Sequence, residues 1–290
     1  MIKKAKHILT KSQEPRPKAG GLPGGGQVII MTEVIVCLTF DYDAESVQIR
    51  AREEAVRVSK GQFAVKRGMP RILDLFKKHR IQGTFFTCGW VADQYPETVR
   101  EIVSQNHEIA AHGYLHENFD TLSVYEQKDV LQKTHKALEE IGGPGSVKGF
   151  RAPYWRLAHN TLQLITEMGY IYDSSLMTDD RPYILQFPDI AGGTLVEFPV
   201  EWFLDDWPLF EMKQKSPSSV FETWKAQFDA LLEMDDIPEG HRVFNLTLHP
   251  SCTGHAYRIR LLERLIEHMK AAGAKFSTMA TVAEDILAKE

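Results

Sequence analysis

Two aspartates stand at the end of an apolar run. Residues 34–45 read VIVCLTFDYDAE, in which Asp41 and Asp43 are separated only by Tyr42. Successive side chains of a strand face opposite sides, so an extended chain puts both carboxylates on one face and turns Tyr42 away. An isolated Asp-x-Asp is more often the cap of a turn or helix. Partners elsewhere in the chain must therefore decide whether these acids do chemistry.

Two histidines supply such partners. His112 and His116 lie four residues apart in HGYLH, a spacing that on one helical turn points both imidazoles the same way. A bare pair is more often a chance surface feature, but this one directly follows the strand-like EIAAH. Two imidazoles and one carboxylate form a catalytic metal site with an open position, so Asp43, His112 and His116 are the predicted ligands. The expected metal is Zn²⁺, although Co²⁺, Ni²⁺ and Fe²⁺ suit the same ligands.

Such a metal lowers the pKa of a bound water, and a second carboxylate nearby can take the proton as the water attacks a carbonyl. Asp41 is the candidate for this general base. His249, in the strand-end sequence LTLHP, is the candidate acid that protonates a leaving nitrogen.

The elements that must position these groups follow one pattern. From residue 31 onward, short strand-like runs alternate with amphipathic stretches, which indicates βα units around a parallel sheet in a single domain over residues 31–290. Residues 1–30 are basic and glycine-rich and are predicted to be a flexible tail. The candidate residues fall at the ends of predicted strands, where reacting groups of α/β folds gather. The predicted strands cover residues 34–40, 83–88, 108–112, 147–152, 170–175, 195–200, 243–249 and 275–279.

Composition excludes several other functions. The 290 residues carry a net charge of −5 and no concentrated basic face, which argues against a nucleic-acid partner. No apolar run is long enough to span a membrane, and no signal core follows the N-terminal lysines, so we expect a cytoplasmic location. The three cysteines, Cys37, Cys88 and Cys252, are far apart in apolar sequence and are predicted to be buried free thiols.

The motifs TFDYD, HGYLH, RAPYW, DDW and LTLH occur in this order. Together they resemble the polysaccharide deacetylase family, also called the NodB-homology group or carbohydrate esterase family four, over about residues 34–285. The resemblance implies a distorted (β/α) barrel of about seven strands and the removal of N- or O-acetyl groups from sugars such as chitin, xylan and peptidoglycan. It implies the roles given above for Asp41, His249 and the three metal ligands. It adds Arg151 as the residue that orients the base and Asp206 as the residue that tunes the pKa of His249.

The sequence departs from the commonest family pattern where Tyr42 separates two acids that most members have adjacent, so the roles of Asp41 and Asp43 could be exchanged. SSLMTDDRPY and PVEWFLDDWP resemble a subgroup with intracellular peptidoglycan deacetylase-like proteins, cyclic imide hydrolases and allantoinase-like ureide hydrolases. That subgroup implies a homotetramer. Three functions therefore remain open: a metal-dependent glycan deacetylase, a cytoplasmic hydrolase of small cyclic imides or ureides, and a catalytically silent carbohydrate-binding barrel.

Other residues have less specific roles. Of the two neighbouring acids, Asp206 is expected to face the site and Asp205 the solvent. His255 is a candidate for substrate contact. For the aromatic residues core packing is the more common role, and stacking on a sugar or imide ring is the alternative. These are Trp90, Trp155, Trp202, Trp207 and Tyr154. The remaining histidines are expected at the surface or at helix ends. They are His79, His107, His135, His159 and His268.

Overall fold

The computed structural model describes residues 33–234, 237 and 241–289, so the predicted tail over residues 1–30 lies outside the described residues. One sheet organises the described chain, and its strands run in the order β6-β7-β5-β4-β3-β2-β1-β8, with β9 added beside β1. All its pairings are parallel except that of β6 with β7. The strands are β1 (Ile35–Tyr42), β2 (Thr84–Thr87), β3 (Glu108–Ala111), β4 (Gly149–Phe150), β5 (Tyr172–Asp173), β6 (Tyr183–Gln186), β7 (Thr194–Glu197), β8 (Val243–Leu248) and β9 (Lys275–Phe276).

The predicted fold class is confirmed. All eight predicted strands are present, several of them shorter than predicted. The structure adds β6, an antiparallel edge strand whose residues are only half-buried or exposed. Such a strand lacks the continuous apolar run that marks the buried parallel strands, which explains why the pattern missed it.

Helices follow the strands and cover the outer face of the sheet. The longest, α6, begins with a capping box in which Ser123 and Glu126 bond each other's backbone N–H groups. The helices are α1 (Ser46–Arg50), α2 (Ala55–Phe63), α3 (Met69–His79), α4 (Gly89–Gln94), α5 (Pro96–Ser104), α6 (Val124–Gly142), α7 (Thr161–Glu167), α8 (Pro217–Glu233), α9 (Pro250–Thr253), α10 (Ala256–Ala271) and α11 (Met279–Leu287). No described helix has the length and apolar composition needed to cross a membrane.

The central strand β1 separates two apolar clusters by its alternation. Val36, Leu38 and Phe40 pack with the covering helices, whereas Cys37 packs on the other face of the strand with residues of the neighbouring strands and of α11. The face that carries Cys37 continues with Thr39 and then with an acid, Asp41. Because alternate residues share a face, this face of β1 changes from apolar at Cys37 to charged at Asp41, near the C-terminal end of the strand. All three cysteines are buried free thiols, as predicted.

The barrel is split between β7 and β8, which share no ladder. Side-chain contacts bridge this gap: Nδ2 of Asn245 on β8 donates to the Pro199 carbonyl, 2.9 Å away, just beyond β7. Farther along, Asp205 forms an isolated parallel bridge with Thr247. The chain after β7 therefore passes alongside β8. It brings Asp205 and Asp206 to the edge of the sheet where β1 ends at Asp41 and Tyr42.

His107 corrects one prediction. It was expected at the surface or at a helix end, but it is buried, and its ring lies 5.5 Å from the ring centroids of both Phe76 and Phe85. Neither ring nitrogen has a hydrogen-bond partner. Burial lowers the pKa of His107 to about 4 because the charged imidazolium cannot be hydrated there.

This burial predicts a pH-dependent stability. Between pH 6.5 and 4 the unfolded chain binds a proton at His107 that the folded chain does not, so stability falls as pH falls. In His107→Phe the ring packing is kept and this dependence is removed. Denaturant unfolding across that range should show wild type losing on the order of 2–3 kcal/mol relative to the variant. Parallel pH profiles of the two proteins would contradict the prediction.

Candidate active site

The acids of the first motif both reach one cavity. β1 stays extended through Tyr42, whose ring is buried on the opposite side and whose hydroxyl pairs with Thr98. Asp41 pairs in register with Phe86 of β2 and is 5% exposed. Asp43 lies just beyond the strand, and both aspartates line a cavity of about 370 Å³. The predicted arrangement, with two carboxylates on one side and Tyr42 turned away, agrees with the structure.

The two histidines are brought together by a loop rather than by a helical turn. Residues 112–118 contain no helix. Gly113 and His116 have positive φ values of 70° and 56°, which bend the chain back after β3. The Glu117 carboxylate accepts hydrogen bonds from the backbone N–H groups of Tyr114 and Leu115, at 2.9 and 2.8 Å, and so fixes the bend. The four-residue spacing thus works through loop geometry, and the helical interpretation was wrong.

Asp43, His112 and His116 form a group able to hold a metal ion, because one ligand atom from each lies within 4.8 Å of the others. Nε2 of His112 is 3.5 Å from Asp43, and Nε2 of His116 is 3.7 Å from it. Nδ1 of His112 is 2.8 Å from the Arg151 carbonyl, which favours the tautomer with a free Nε2 lone pair. That Nε2 is buried and has no hydrogen-bond partner.

The protonation of this group also suits a cation. Burial lowers the pKa of His116 well below its usual value, which keeps the imidazole neutral as a metal ligand must be. Burial raises the pKa of Asp43 because its negative charge lacks sufficient compensation. A divalent ion between these side chains would supply that charge and occupy the orphaned Nε2 of His112. The residues present therefore fit a metal.

Arg151 is fully buried in the barrel interior. Its Nη1 donates to Asp41 at 2.8 Å and to Thr39 at 2.9 Å, while Nε and Nη2 donate to the carbonyl and hydroxyl of Ser174. The guanidinium also lies 4.0 Å from the Phe86 ring centroid. Although burial opposes ionisation, the Arg151 charge lowers the pKa of Asp41. The structure thus brings Arg151 to the carboxylate that it was expected to orient.

His249 lies at the end of β8 and is held by Asp206. Nδ1 of His249 is 2.7 Å from Asp206 Oδ1, and its backbone N–H donates to Oδ2 of the same residue at 3.0 Å. Burial opposes the imidazolium, but the Asp206 and Asp205 carboxylates outweigh it and raise the pKa of His249 to about 10. The protonated form of His249 is thus favoured, and its Nε2 lies on the side of the cavity facing Asp41, 3.9 Å from Asp41 Oδ2.

The expected division between Asp205 and Asp206 was wrong. Asp205 is 6% exposed and lines the cavity instead of facing solvent, whereas Asp206 is fully buried, does not line the cavity and contacts His249. The parallel bridge of Asp205 with Thr247 holds it beside β8, which explains the difference. Burial raises the pKa of Asp205 to about 7.

Aromatic rings form the cavity wall. Tyr154, Trp155, Trp202 and Trp207 all line it, so core packing was the wrong expectation for these four, although Trp207 also packs partly against the core. The reason for two of them is local: Tyr154 and Trp155 have positive φ values of 57° and 55°, which turn the chain over the site just after β4. Trp90, in contrast, packs against the core.

Two further findings concern the predicted His255 and two serines that were not predicted. His255 does not line the cavity and instead stacks on Phe63, with ring centroids 4.3 Å apart. Sequence reasoning missed Ser174 and Ser175: Ser175 Oγ accepts a hydrogen bond from the Ala152 N–H at 2.9 Å, beside Arg151. The predicted strand YIYDSS ends in these two serines, so their polar character was visible in the sequence, but their partners were not.

Comparisons with known proteins identify the family of this chain. The family model for polysaccharide deacetylase matches residues 31–172. A peptidoglycan deacetylase of Helicobacter pylori is 31% identical over 289 residues, covering 88% of this chain and 97% of that protein. A crystal structure of a putative polysaccharide deacetylase from Mycobacterium smegmatis superposes with a TM-score of 0.78 at 31% identity, covering 95% of this chain and 96% of that one.

The fold is also shared more widely. The Puue allantoinase superposes with a TM-score of 0.79, covering 94% of this chain and 97% of that chain, but at only 22% identity. That likeness shows the barrel alone. The relatives at 31% identity extend over most of both chains and carry the stronger conclusion. The chain belongs to the polysaccharide deacetylase family, and it is a hydrolase of carbon–nitrogen bonds in amides.

Proposed function

We propose that this protein is a metal-dependent N-deacetylase of peptidoglycan-type glycans. One observation carries the proposal: a single cavity joins a three-residue metal-binding group, a carboxylate held by a buried arginine, and a histidine held by a buried aspartate. These are the parts that amide hydrolysis needs. The name of the Helicobacter pylori relative supports peptidoglycan as the source of the substrate.

Asp43, His112 and His116 would hold the metal. A divalent ion there, most simply Zn²⁺, would polarise the acetyl carbonyl and make a water more acidic. Through its Nδ1 contact with the Arg151 carbonyl, His112 also joins the metal group to the residue that holds Asp41. A shift of Arg151 would therefore disturb both the ligands and the base.

Asp41 and His249 divide the proton transfers. The attacking water loses one proton to Asp41, which Arg151 keeps ionised and oriented. The water oxygen bonds to the acyl carbon, the carbon–nitrogen bond breaks, and the nitrogen leaves as an amine after accepting a proton from His249. Because Asp206 and Asp205 favour the imidazolium form, His249 holds that proton before the bond breaks.

A second candidate is hydrolysis of small cyclic imides or ureides. The compact cavity with its four aromatic rings favours it, since a flat ring can stack there without a polymer chain. Both reactions use the same base, acid and metal group. The substrate must therefore be identified directly.

A substrate screen tests the proposal. Zn²⁺-loaded protein is assayed with N-acetylglucosamine oligomers, glutarimide, hydantoin and allantoin, and the released amine or acid is quantified. We expect acetate release from the oligomers, its loss after chelator treatment and its recovery on adding metal back. Turnover of a cyclic substrate alone would select the second candidate. Acetate release that survives complete metal removal would contradict metal dependence.

Substitution of Asp41 tests its role as base. Asp41→Asn keeps the side-chain volume but cannot accept the proton, so kcat should fall by about two to four orders of magnitude while bound metal, measured by mass spectrometry, stays stoichiometric. Asp43→Asn is the matched comparison, because it should lose metal and activity together. Near-normal turnover by Asp41→Asn, or exchanged phenotypes of the two variants, would assign the base to another residue.

A further inference from the structure

The two neighbouring acids near β8 differ in what occupies their oxygens. Asp206 is fully buried, and the protein uses both of its carboxylate oxygens. Oδ1 contacts Nδ1 of His249, while Oδ2 accepts from the His249 backbone and from the Thr253 hydroxyl, at 3.0 and 2.5 Å. A substrate therefore finds no available oxygen on Asp206.

Only one carboxylate oxygen of Asp205 accepts a hydrogen bond from a described residue. Its Oδ1 accepts a hydrogen bond from the Trp207 N–H at 2.7 Å and lies 3.7 Å from Nδ1 of His249. No described residue donates a hydrogen bond to its Oδ2, and the side chain lines the catalytic cavity next to Trp202 and Trp207. Asp205 thus offers a ligand one carboxylate oxygen, beside the histidine that faces the leaving group.

The charges around this oxygen restrict what can approach it. The described residues that line the cavity include three aspartates and two histidines but no lysine or arginine. Asp41 is paired with Arg151, and Asp43 belongs to the metal group. The imidazolium of His249, whose Nδ1 lies 3.7 Å from Asp205, is already paired with Asp206. An anionic substituent near Asp205 would therefore meet a carboxylate whose neighbouring cation is already paired, whereas a hydroxyl would meet a strong acceptor.

We propose that Asp205 is a specificity-determining residue that accepts a hydrogen bond from a hydroxyl of the acetylated sugar and rejects sugars bearing an acid there. The glycan strands of peptidoglycan alternate N-acetylglucosamine, which is neutral, with N-acetylmuramic acid, in which a hydroxyl is replaced by an ether-linked lactic acid whose carboxylate is free wherever no stem peptide is attached. Asp205 selects the neutral sugar. The inference rests on the proposed function and names the sugar on which that function acts.

Three substrates separate charge from bulk. Oligomers ending in N-acetylglucosamine, in N-acetylmuramic acid and in the methyl ester of N-acetylmuramic acid are compared by kcat/KM at pH 8.5, where Asp205 is ionised. We expect the neutral sugar to be best and the acid to be about tenfold or more worse than its equally bulky ester, because only the acid meets like charge.

In Asp205→Asn the acid and the ester should approach each other to within about threefold, and KM for the neutral sugar should rise because the acceptor is weaker. Asp180→Asn is the matched control: Asp180 is exposed and does not line the catalytic cavity, so its loss should leave the ratio of acid to ester unchanged. An unchanged ratio in Asp205→Asn, or no difference between acid and ester in wild type, overturns the role of Asp205 alone. Turnover of none of the three sugars overturns the proposed function and this inference with it.

Discussion

The ion pair between Arg151 and Asp41 is the interaction on which the site depends. A guanidinium with no solvent exposure is tolerated only if its charge and donors are satisfied, and here Asp41, Thr39 and Ser174 do so. These partners come from β1 and from the residue after β5, while Arg151 itself follows β4. One buried charge thus fixes the relative positions of three strand ends.

Charge pairing also distinguishes the other carboxylates around the cavity. The carboxylate of Asp41 is compensated by Arg151 and that of Asp206 by His249, so both are held in fixed positions. The carboxylates of Asp43 and Asp205 are less well compensated, since the nearest imidazole nitrogens lie 3.5 and 3.7 Å away, and burial raises the pKa of each. Uncompensated buried charges are costly in a structure and are therefore candidates for ligand contacts. Asp43 can meet a metal and Asp205 a substrate.

Much of this could be predicted from the sequence. β1 could be predicted because its apolar run and the alternation of Asp41, Tyr42 and Asp43 are local features of the sequence. The order of five short motifs indicated the family. The loop of His112 and His116 was not readable, because its bend requires positive φ at Gly113 and the Glu117 contacts, which the spacing does not encode. Ser174, Asp205 and the aromatic wall depend on which strand ends meet in space, and that is set by the barrel rather than by any local pattern.

Locating the bound metal ion would show whether Asp43, His112 and His116 hold it. Crystals of Zn²⁺-loaded protein, measured across the zinc absorption edge, would locate the ion by anomalous scattering. We predict one strong site bonded to Nε2 of His112, to His116 and to Asp43, with Asp41 near it but bonded to Arg151. An ion at either of the other groups of suitable side chains in the described residues, Asp205–Asp206–His249 or His79–Glu263–Glu267, with none between Asp43 and the two histidines, would contradict it.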